Sequence, residues 1–330
     1  MTDTPLAAVI RGGFVESRHL GAYAIVGPGD AVIRSQGDVE RPVFPRSAIK
    51  ALQCLAVIES GAAERFGFTD AEIALACASH GGEPEHVETA RAMLAKSGLD
   101  AEALECGAHW PSDPAAAREL ARRGEMPCPL HNNCSGKHAG MLALALALGV
   151  SHHGYVGPGH AVQQRIAAIL GALTGSDLAA APRAVDGCSV PTWALPLHGL
   201  ARAFHRFASG EGVPPARAAA AQRIIAAVRA HPFMVAGSKR FCTDLMRAVP
   251  RAFVKTGAEG VFCAAVPHAG LGLALKCSDG ATRAAETAIA GLLAGLDVWS
   301  DAERQHLLGF ARVTIRNWRN VETGEIKSLV

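Results

Sequence analysis

Two residues three positions apart, Ser47 and Lys50, are the first pair in this 330-residue chain that could do chemistry. Positions i and i+3 of a helix share a face, so the serine hydroxyl and the lysine amine could meet there. A serine hydroxyl is a weak nucleophile until a base takes its proton, and a partly neutral lysine can be that base. This spacing is common by chance, so it predicts a nucleophile only together with other residues.

Lys255, Thr256 and Gly257 lie on a predicted strand far downstream of the first pair. Ser-x-x-Lys at the start of a helix, followed by Lys-Thr-Gly on a strand, is the pairing found in serine enzymes that recognise penicillin. A second lysine near Lys50 would lower its pKa by like-charge repulsion. The alternative is a solvated strand lysine, which the glycines at 257 and 260 disfavour because they allow a substrate to approach the backbone.

A third polar group comes from Ser79, which follows an apolar run and precedes His80 and two glycines. Ser79 could relay a proton or hold a substrate amide. The alternative is that Ser79 and His80 only terminate a helix. The histidines and carboxylates of 80–86 match no zinc-site spacing, and we interpret that segment as a loop.

The segment 131–142 carries Cys134, Lys137 and His138, and a second polar turn with Asp186 and Cys188 lies far downstream. Two thiolates can bind zinc, but no set of four Cys and His ligands is evident, so buried structural cysteines remain the simpler interpretation. The polar, glycine-bearing start of the following Ala/Leu helix favours an anion such as a carboxylate.

Composition limits the classes of function. The formal net charge is +2, from 32 basic and 30 acidic residues, and only 5% of residues are aromatic, so we expect no nucleic-acid partner. No apolar run reaches the roughly 18 residues of a membrane helix, and we expect no membrane partner. The start of the chain lacks a signal-peptide pattern, and nine scattered cysteines favour a reducing compartment, so we expect a cytoplasmic protein.

The predicted elements form two groups. Alternating apolar residues with glycine and proline breaks predict strands over 7–40, and three more strands after residue 250 precede a helix at 282–296. The middle of the chain predicts mainly helices, after a capping box at Thr69. The predicted helices are 47–59, 84–97, 114–123, 137–149, 158–174, 192–209 and 214–230. We therefore predict one catalytic domain of the α/β (α+β) class, with a mainly antiparallel sheet flanked by helices from about 1–60 and 245–330, and an all-helical lobe inserted at about 61–244.

Six segments in this order resemble the rhizobial-type, or class 3 thermolabile, L-asparaginase II family over nearly the whole chain. The segments are "PRSAIK", "ASHGGEPEH", "NNCSGKHAGML", "DGCSVPTWALPL", "VAGSKRFCTDLM" and "VKTGAEGVF". The resemblance implies a fold like that of the serine β-lactamases and glutaminases. It also implies hydrolysis of L-asparagine to L-aspartate and ammonia by a homodimer.

Carried over by motif, the resemblance implies two Ser-Lys tandems, Ser47 with Lys50 and Ser79 with Lys255. It implies a zinc ion that supports substrate binding and does not activate water. A lysine ligand must be neutral, so such zinc would bind better at higher pH. The implied zinc ligands are Cys134, Lys137 and Cys188, and the implied substrate-binding residues are Arg46, His138 and Asp186.

Other functions remain open at this stage. The same fold and serine could serve a glutaminase or a β-lactam-handling enzyme. A zinc-dependent hydrolase could use a metal at Cys134 and Cys188 as a Lewis acid. A binding protein that kept the fold and lost the chemistry is a further alternative, although a binder needs no nucleophile.

Overall fold

The computed structural model describes residues 2–330 as an alternation of strands and helices. The strands, in chain order, are β1 (Thr4–Arg11), β2 (Phe14–Gly27), β3 (Ala31–Gln36), β4 (Pro42–Val43), β5 (Arg183–Val185), β6 (Pro191–Trp193), β7 (Leu195–Pro196), β8 (Phe253–Thr256), β9 (Val261–Val266), β10 (Leu271–Cys277), β11 (Arg312–Arg316) and β12 (Glu322–Ser328). The helices are α1 (Lys50–Glu59), α2 (Ala62–Arg65), α3 (Asp70–Ala76), α4 (Pro84–Lys96), α5 (Pro114–Arg122), α6 (Ser135–Ala147), α7 (Ala161–Thr174), α8 (Leu197–Ser209), α9 (Pro215–Ala230), α10 (Pro232–Ala236), α11 (Phe241–Ala248), α12 (Thr282–Ala294) and α13 (Asp301–Ala311).

One eight-stranded antiparallel sheet contains strands from both ends of the chain. Its order is β11-β12-β1-β2-β10-β9-β8, and β3 pairs with the second half of β2. The long β2 pairs with β1 along its first half and with β10 over residues 21–26. The predicted fold class is therefore confirmed, because the two predicted groups of strands form one sheet and the intervening chain is mainly helical.

Helix α8 packs on this sheet at β2, β9 and β10. A glycine on β10 makes the approach possible, since a Cβ at Gly272 would lie 2.2 Å from the Ala201 carbonyl oxygen and 2.0 Å from the His205 nitrogen. Helix α12 packs against β1, β9, β10 and β12. Every residue of β9 is buried, as expected for a strand covered on both faces.

The chain divides into two compact units. The sheet unit contains residues 1–48, 194–211 and 245–330, and the helical unit contains residues 49–193 and 212–244. The predicted boundaries differ at two places, because 49–60 belongs to the helical unit and 194–211 to the sheet unit. Apolar periodicity predicts that a helix such as α8 has a buried face, but it does not say which element covers that face.

The close packing of α3 on α6 shapes the centre of the helical unit. Residues Ser135 to Ala145 of α6 are all buried, and the helix contacts α1, α3 and α4. Gly136 lies directly against the last turn of α3, where a Cβ would come 2.5 Å from both the Leu75 carbonyl oxygen and its Cγ. The segment that follows α3 therefore runs close to the first turn of α6.

The local signals of helix starts were mostly right. The capping box at Thr69 is confirmed, with the Thr69 backbone nitrogen donating to Glu72 and the Glu72 nitrogen donating to the Thr69 hydroxyl. The helix predicted to begin at 192 begins at Leu197, after the short strands β6 and β7. Helix α13 was not predicted because it buries few side chains, although Ser300 and Glu303 form a capping box at its start.

Among the described residues, no helix is both long enough and apolar enough to cross a membrane.

Candidate active site

Ser79 is held in a tight turn just after α3, inside the helical unit. Its backbone nitrogen donates to the Val235 carbonyl at 2.9 Å, and the next nitrogen, of His80, donates to the Asn133 carbonyl at 3.2 Å. Ser79 is 6% exposed. The backbone on both sides of this serine is thus fixed by hydrogen bonds to other parts of the same unit.

Lys50, the first residue of α1, reaches this turn from a buried position and is 1% exposed. Its Nζ donates to the Ala78 carbonyl at 2.5 Å, to the Ser79 hydroxyl at 3.0 Å and to the Cys134 sulfur at 3.1 Å. A lysine ammonium has three N–H donors, so these three acceptors suit the charged amine. A buried charge is tolerated only when it is paired and hydrogen-bonded in this way.

Cys134 and Cys188 meet beside this lysine, although 53 residues separate them in the chain. The hydrogen bond from the Cys188 thiol, together with the Lys50 and Lys137 ammonium groups, lowers the pKa of Cys134 well below its usual value. The same hydrogen bond, with burial, raises the pKa of Cys188. The two shifts are opposite in direction because the same hydrogen bond favours the thiolate form of Cys134 and the thiol form of Cys188.

Lys137 completes this cluster one turn into α6, where its Nζ lies 2.9 Å from the Cys188 sulfur. Burial acts to lower the pKa of Lys137, but the Cys188 and Cys134 sulfurs outweigh it and raise the pKa. Cys188 itself is presented by the turn between β5 and β6, where the Asp186 nitrogen donates to the Val190 carbonyl at 2.9 Å. Asp186 is half-buried, with a carboxylate oxygen 4.0 Å from the Cys188 sulfur.

This donor set fits a zinc ion. Two sulfurs and one nitrogen converge. Thiolates are soft ligands that suit zinc, and three protein ligands leave one position open. Both thiols would have to lose their protons to bind an ion here, and the Lys137 amine would have to be neutral. Cys134, Lys137 and Cys188 are therefore the residues that could hold the metal.

Another cluster of possible ligands lies in the sheet unit. Within residues 2–330 it is the one group of three or more His, Cys, Asp and Glu residues whose ligand atoms all lie within 4.8 Å of one another, and it contains His19, Cys277 and Asp279. His19 Nδ1 lies 2.5 Å from Asp279, and Arg283 approaches His19 Nε2 at 3.4 Å. Both ring nitrogens are thus already engaged, and we interpret this group as an ion-pair network.

His80 was not predicted as a site residue, yet it ties the Ser79 turn to the start of α6. Its Nδ1 accepts from the Gly82 nitrogen at 3.1 Å, so its Nε2 donates to the Ser135 hydroxyl at 2.9 Å. Burial, His86 and Lys50 lower the pKa of His80 well below its usual value, so the ring is neutral. Part of the segment interpreted as a loop is in fact the start of α4, and His86 on that helix stacks on His80 at 4.9 Å.

His138 follows Lys137 on α6 and is fully buried. Its Nδ1 lies 2.6 Å from the hydroxyl of Tyr155. Burial and the nearby ammonium groups of Lys137 and Lys50 lower the pKa of His138 well below its usual value. A neutral, hydrogen-bonded imidazole thus lies beside the lysine and cysteine cluster.

The sheet unit holds the remaining predicted residues. Ser47 is half-buried in the 3₁₀ turn Arg46–Ile49, which leads directly into α1, and Arg46 begins this turn with a φ of 51°. Lys255 on β8 is 1% exposed and donates to the Thr256 carbonyl at 2.8 Å. A Cβ at Gly257 would lie 2.6 Å from the Pro45 carbonyl oxygen, so the Lys-Thr-Gly strand packs against the serine turn.

Ser47 and Lys255 belong to the sheet unit, and Lys50 and Ser79 belong to the helical unit. Both predicted Ser-Lys pairings remain predictions. Within the helical unit, the structure brings Lys50, Ser79, Cys134, Lys137 and Cys188 together. It also places Lys50 in hydrogen-bond contact with Ser79, a contact that the two predicted tandems do not include.

A comparison with family models agrees with the resemblance of the six segments. The family model described as L-asparaginase II matches residues 7–328. No curated protein matches the chain. A solved β-lactamase from Mycobacterium bovis is 17% identical over 88% of this chain and 94% of its own, with a TM-score of 0.42. The native form of Mglu is 14% identical over 90% of this chain and 69% of its own, with a TM-score of 0.45.

Proposed function

Because the chain belongs to the L-asparaginase II family and is thus an asparaginase-type hydrolase of a small molecule, we propose that it hydrolyses L-asparagine to L-aspartate and ammonia. The observation that carries this proposal is the buried Lys50, which follows Ser47 by three residues. Its amine donates hydrogen bonds to Ser79 and Cys134. In its neutral form, a buried lysine can be the base that accepts a serine proton.

In the proposed first step, Ser47 is the nucleophile and Lys50 the base. The Ser47 hydroxyl gives its proton to the neutral Lys50 amine, and its oxygen forms a bond to the side-chain amide carbon of L-asparagine. The resulting ammonium has three N–H donors, which match the acceptors at Ala78, Ser79 and Cys134. These acceptors would stabilise the positive charge that develops on Lys50 during the attack.

The second half of the reaction returns the enzyme to its starting state. The amide C–N bond breaks, the nitrogen takes the proton from Lys50, and ammonia leaves an ester on Ser47. A water molecule then gives a proton to the base, attacks the ester carbon and releases L-aspartate, while the Ser47 oxygen regains its proton. Ser79 and Lys255 form the supporting tandem of this proposal, and Arg46, His138 and Asp186 bind the charged groups of the substrate.

A zinc ion on Cys134, Lys137 and Cys188 has a supporting role in this proposal. When bound, it would supply a fixed positive charge that favours the anionic part of the substrate. Ser47 already provides the nucleophile, so no metal-activated water is required. The free cysteines of the described chain suit a reducing compartment, and we propose that the enzyme acts in the cytoplasm as a homodimer.

Ammonia release from L-asparagine, L-glutamine and a chromogenic β-lactam, with and without a chelator, tests this proposal. We expect L-asparagine to be preferred. A site that pins both the α-carboxylate and the α-ammonium fixes the amide carbon, and the added methylene of glutamine displaces it by an amount that can cost about 100-fold. Equal or greater kcat/KM for glutamine would make the enzyme a glutaminase. Activity that disappears with the chelator and returns in proportion to zinc would favour a metallohydrolase.

A further inference from the structure

Tyr155 connects the proposed site to a loop outside it. The chain has two tyrosines, and Tyr155 is fully buried. Its hydroxyl oxygen lies 2.6 Å from His138 Nδ1 and 3.0 Å from the Glu105 backbone nitrogen. The loop is well anchored, since the Tyr155 carbonyl accepts from Gln163 Nε2 at 2.9 Å and the Gly154 nitrogen donates to the Glu105 carboxylate at 2.6 Å.

These contacts fix the direction of each hydrogen bond. The Glu105 backbone N–H can only donate, so the Tyr155 oxygen accepts from it. The tyrosine proton then needs an acceptor of its own, because a buried hydroxyl without one is costly. His138 Nδ1 is the acceptor within reach. The proton of the neutral imidazole must therefore sit on Nε2.

The Nε2 atom is buried, and no residue of the described chain accepts a hydrogen bond from it. His138 lies one helical turn after Cys134, the residue just before α6, and its backbone nitrogen donates to the Cys134 carbonyl at 3.0 Å. The two residues therefore lie on the same side of the helix, and helical side chains lean toward the N-terminus. This direction is toward Cys134, at the start of the helix. An N–H donor with no partner in such a place is satisfied when a ligand brings an anionic oxygen.

We propose that Tyr155 is a positioning residue that holds His138 in the Nε2–H tautomer, so that the imidazole donates a hydrogen bond to the substrate α-carboxylate. This inference rests on the proposed asparaginase function. Tyr155 itself does not touch the substrate; it acts through the ring of His138. Loss of its hydroxyl would let the imidazole carry its proton on Nδ1 and present a lone pair to the carboxylate.

The kinetic test uses the full-length, zinc-loaded enzyme. Tyr155→Phe removes one oxygen and should raise KM for L-asparagine about tenfold, the scale of one hydrogen bond to a charged group, with kcat changed about twofold or less. Tyr23→Phe is the matched control, because Tyr23 is a buried tyrosine of the sheet unit whose hydroxyl has no partner in the described chain. A purely structural role would lower the thermal unfolding temperature of Tyr155→Phe and leave KM unchanged, which would overturn the proposal.

The tautomer is measured separately by NMR of the enzyme labelled with ¹⁵N-histidine, with His138→Gln used to assign the signal. The two ring nitrogens have distinct shifts with and without a proton, so no turnover is required. We expect Nε2–H in the wild type and its loss in Tyr155→Phe. A wild-type proton on Nδ1, or a Tyr155→Phe spectrum identical to wild type, would overturn the proposal even where the variant folds poorly.

The kinetic and NMR tests also distinguish a failure of this inference from a failure of the proposed function. If the wild type neither hydrolyses L-asparagine nor binds L-aspartate, the asparaginase proposal fails, and with it the carboxylate assigned to Nε2. The NMR result still decides whether Tyr155 orients the imidazole. If the wild type is active and the tautomer is as expected but KM does not respond to Tyr155→Phe, the asparaginase proposal stands and the role of Tyr155 is wrong.

Discussion

The amine of Lys50 lies 3.0 Å from the Ser79 hydroxyl and 3.1 Å from the Cys134 sulfur, with almost no exposure to solvent. One lysine thus connects a serine of the proposed supporting tandem with a sulfur of the proposed zinc site. Substitution of any of these residues should therefore affect the others, and their effects should be non-additive.

Ser47→Ala should lower kcat at least about 1,000-fold, because the variant loses the proposed nucleophile while substrate binding survives. Steady-state ammonia release at saturating L-asparagine measures this loss. Ser60→Ala is a suitable control, since Ser60 follows α1 and its hydroxyl bonds only to nearby backbone, donating to the Val57 carbonyl at 3.0 Å and accepting from the Ala62 nitrogen at 3.4 Å. Near-wild-type turnover by Ser47→Ala would remove Ser47 from the mechanism.

Lys255→Ala should lower kcat and move the pH–rate profile, because the proposed role of Lys255 includes a charge effect on Lys50. The double variant with Ser47→Ala should lose little more than Ser47→Ala alone, since groups that act as a unit are non-additive. Lys327→Ala, on the half-buried β12, controls for loss of a lysine in the same unit. A pH–rate profile unchanged by Lys255→Ala would show that Lys255 does not tune Lys50.

Cys188→Ala should lower the zinc content of the purified enzyme and raise KM, while substantial kcat remains. The reason is that the proposed zinc supports binding, while the serine supplies the nucleophile. Metal analysis together with steady-state kinetics measures both effects. Cys128→Ala, at a half-buried cysteine outside the cluster, should retain zinc. Full zinc content in Cys188→Ala would rule out Cys188 as a ligand.

Gly136→Ala should destabilise the protein by about 1–3 kcal/mol, the usual cost of overpacking, because the new methyl meets the Leu75 carbonyl at 2.5 Å. Urea unfolding measures this change. Gly309→Ala in α13 is the matched control, since nothing lies within 4 Å of its Cβ position. That control should stabilise the helix by about 0.5–1 kcal/mol. An unchanged free energy of unfolding in Gly136→Ala would mean that α3 and α6 can separate without cost.

The Arg251–Glu303 pair should contribute stability that disappears in acid. The Arg251 guanidinium hydrogen-bonds both Glu303 oxygens and, with the Ser300 groups, lowers the pKa of Glu303 to about 2 from its usual 4.5. A depressed pKa means that the stabilisation is complete above pH about 4.5 and is lost as pH falls toward 2.

Glu303→Gln tests this dependence, because glutamine keeps the capping box with Ser300 and removes only the charge. Denaturant midpoints at pH 7, 4 and 3 should show a deficit for the variant at pH 7 that shrinks as the pH falls. Asp297→Asn, at a nearly fully exposed carboxylate, should show a much smaller difference. A deficit that stays constant over this range would mean that the charge of Glu303 is not the source of the stabilisation.

The sequence by itself determined most of the local structure and the candidate residues. The Thr69 capping box, the helices near 84 and 114 and the strands at both ends of the chain depend on hydrogen bonds and apolar periodicities within a few residues. The six family segments likewise named the serines, lysines and cysteines of the proposed site, and the family model matches nearly the whole chain. The sequence did not predict which element covers α8, because periodicity does not identify the partner that covers a helix. It also did not predict α13, which buries few side chains.

Only the tertiary structure decided which of these residues touch. The contact of Lys50 with Ser79 and Cys134, the pairing of Cys134 with Cys188, and the bond from Tyr155 to His138 join residues between 17 and 84 positions apart. They depend on close helix packing at Gly136, where α3 meets α6. Local propensity fixes backbone angles one residue at a time, whereas these distances follow from how the packed helices exclude water and fill space together.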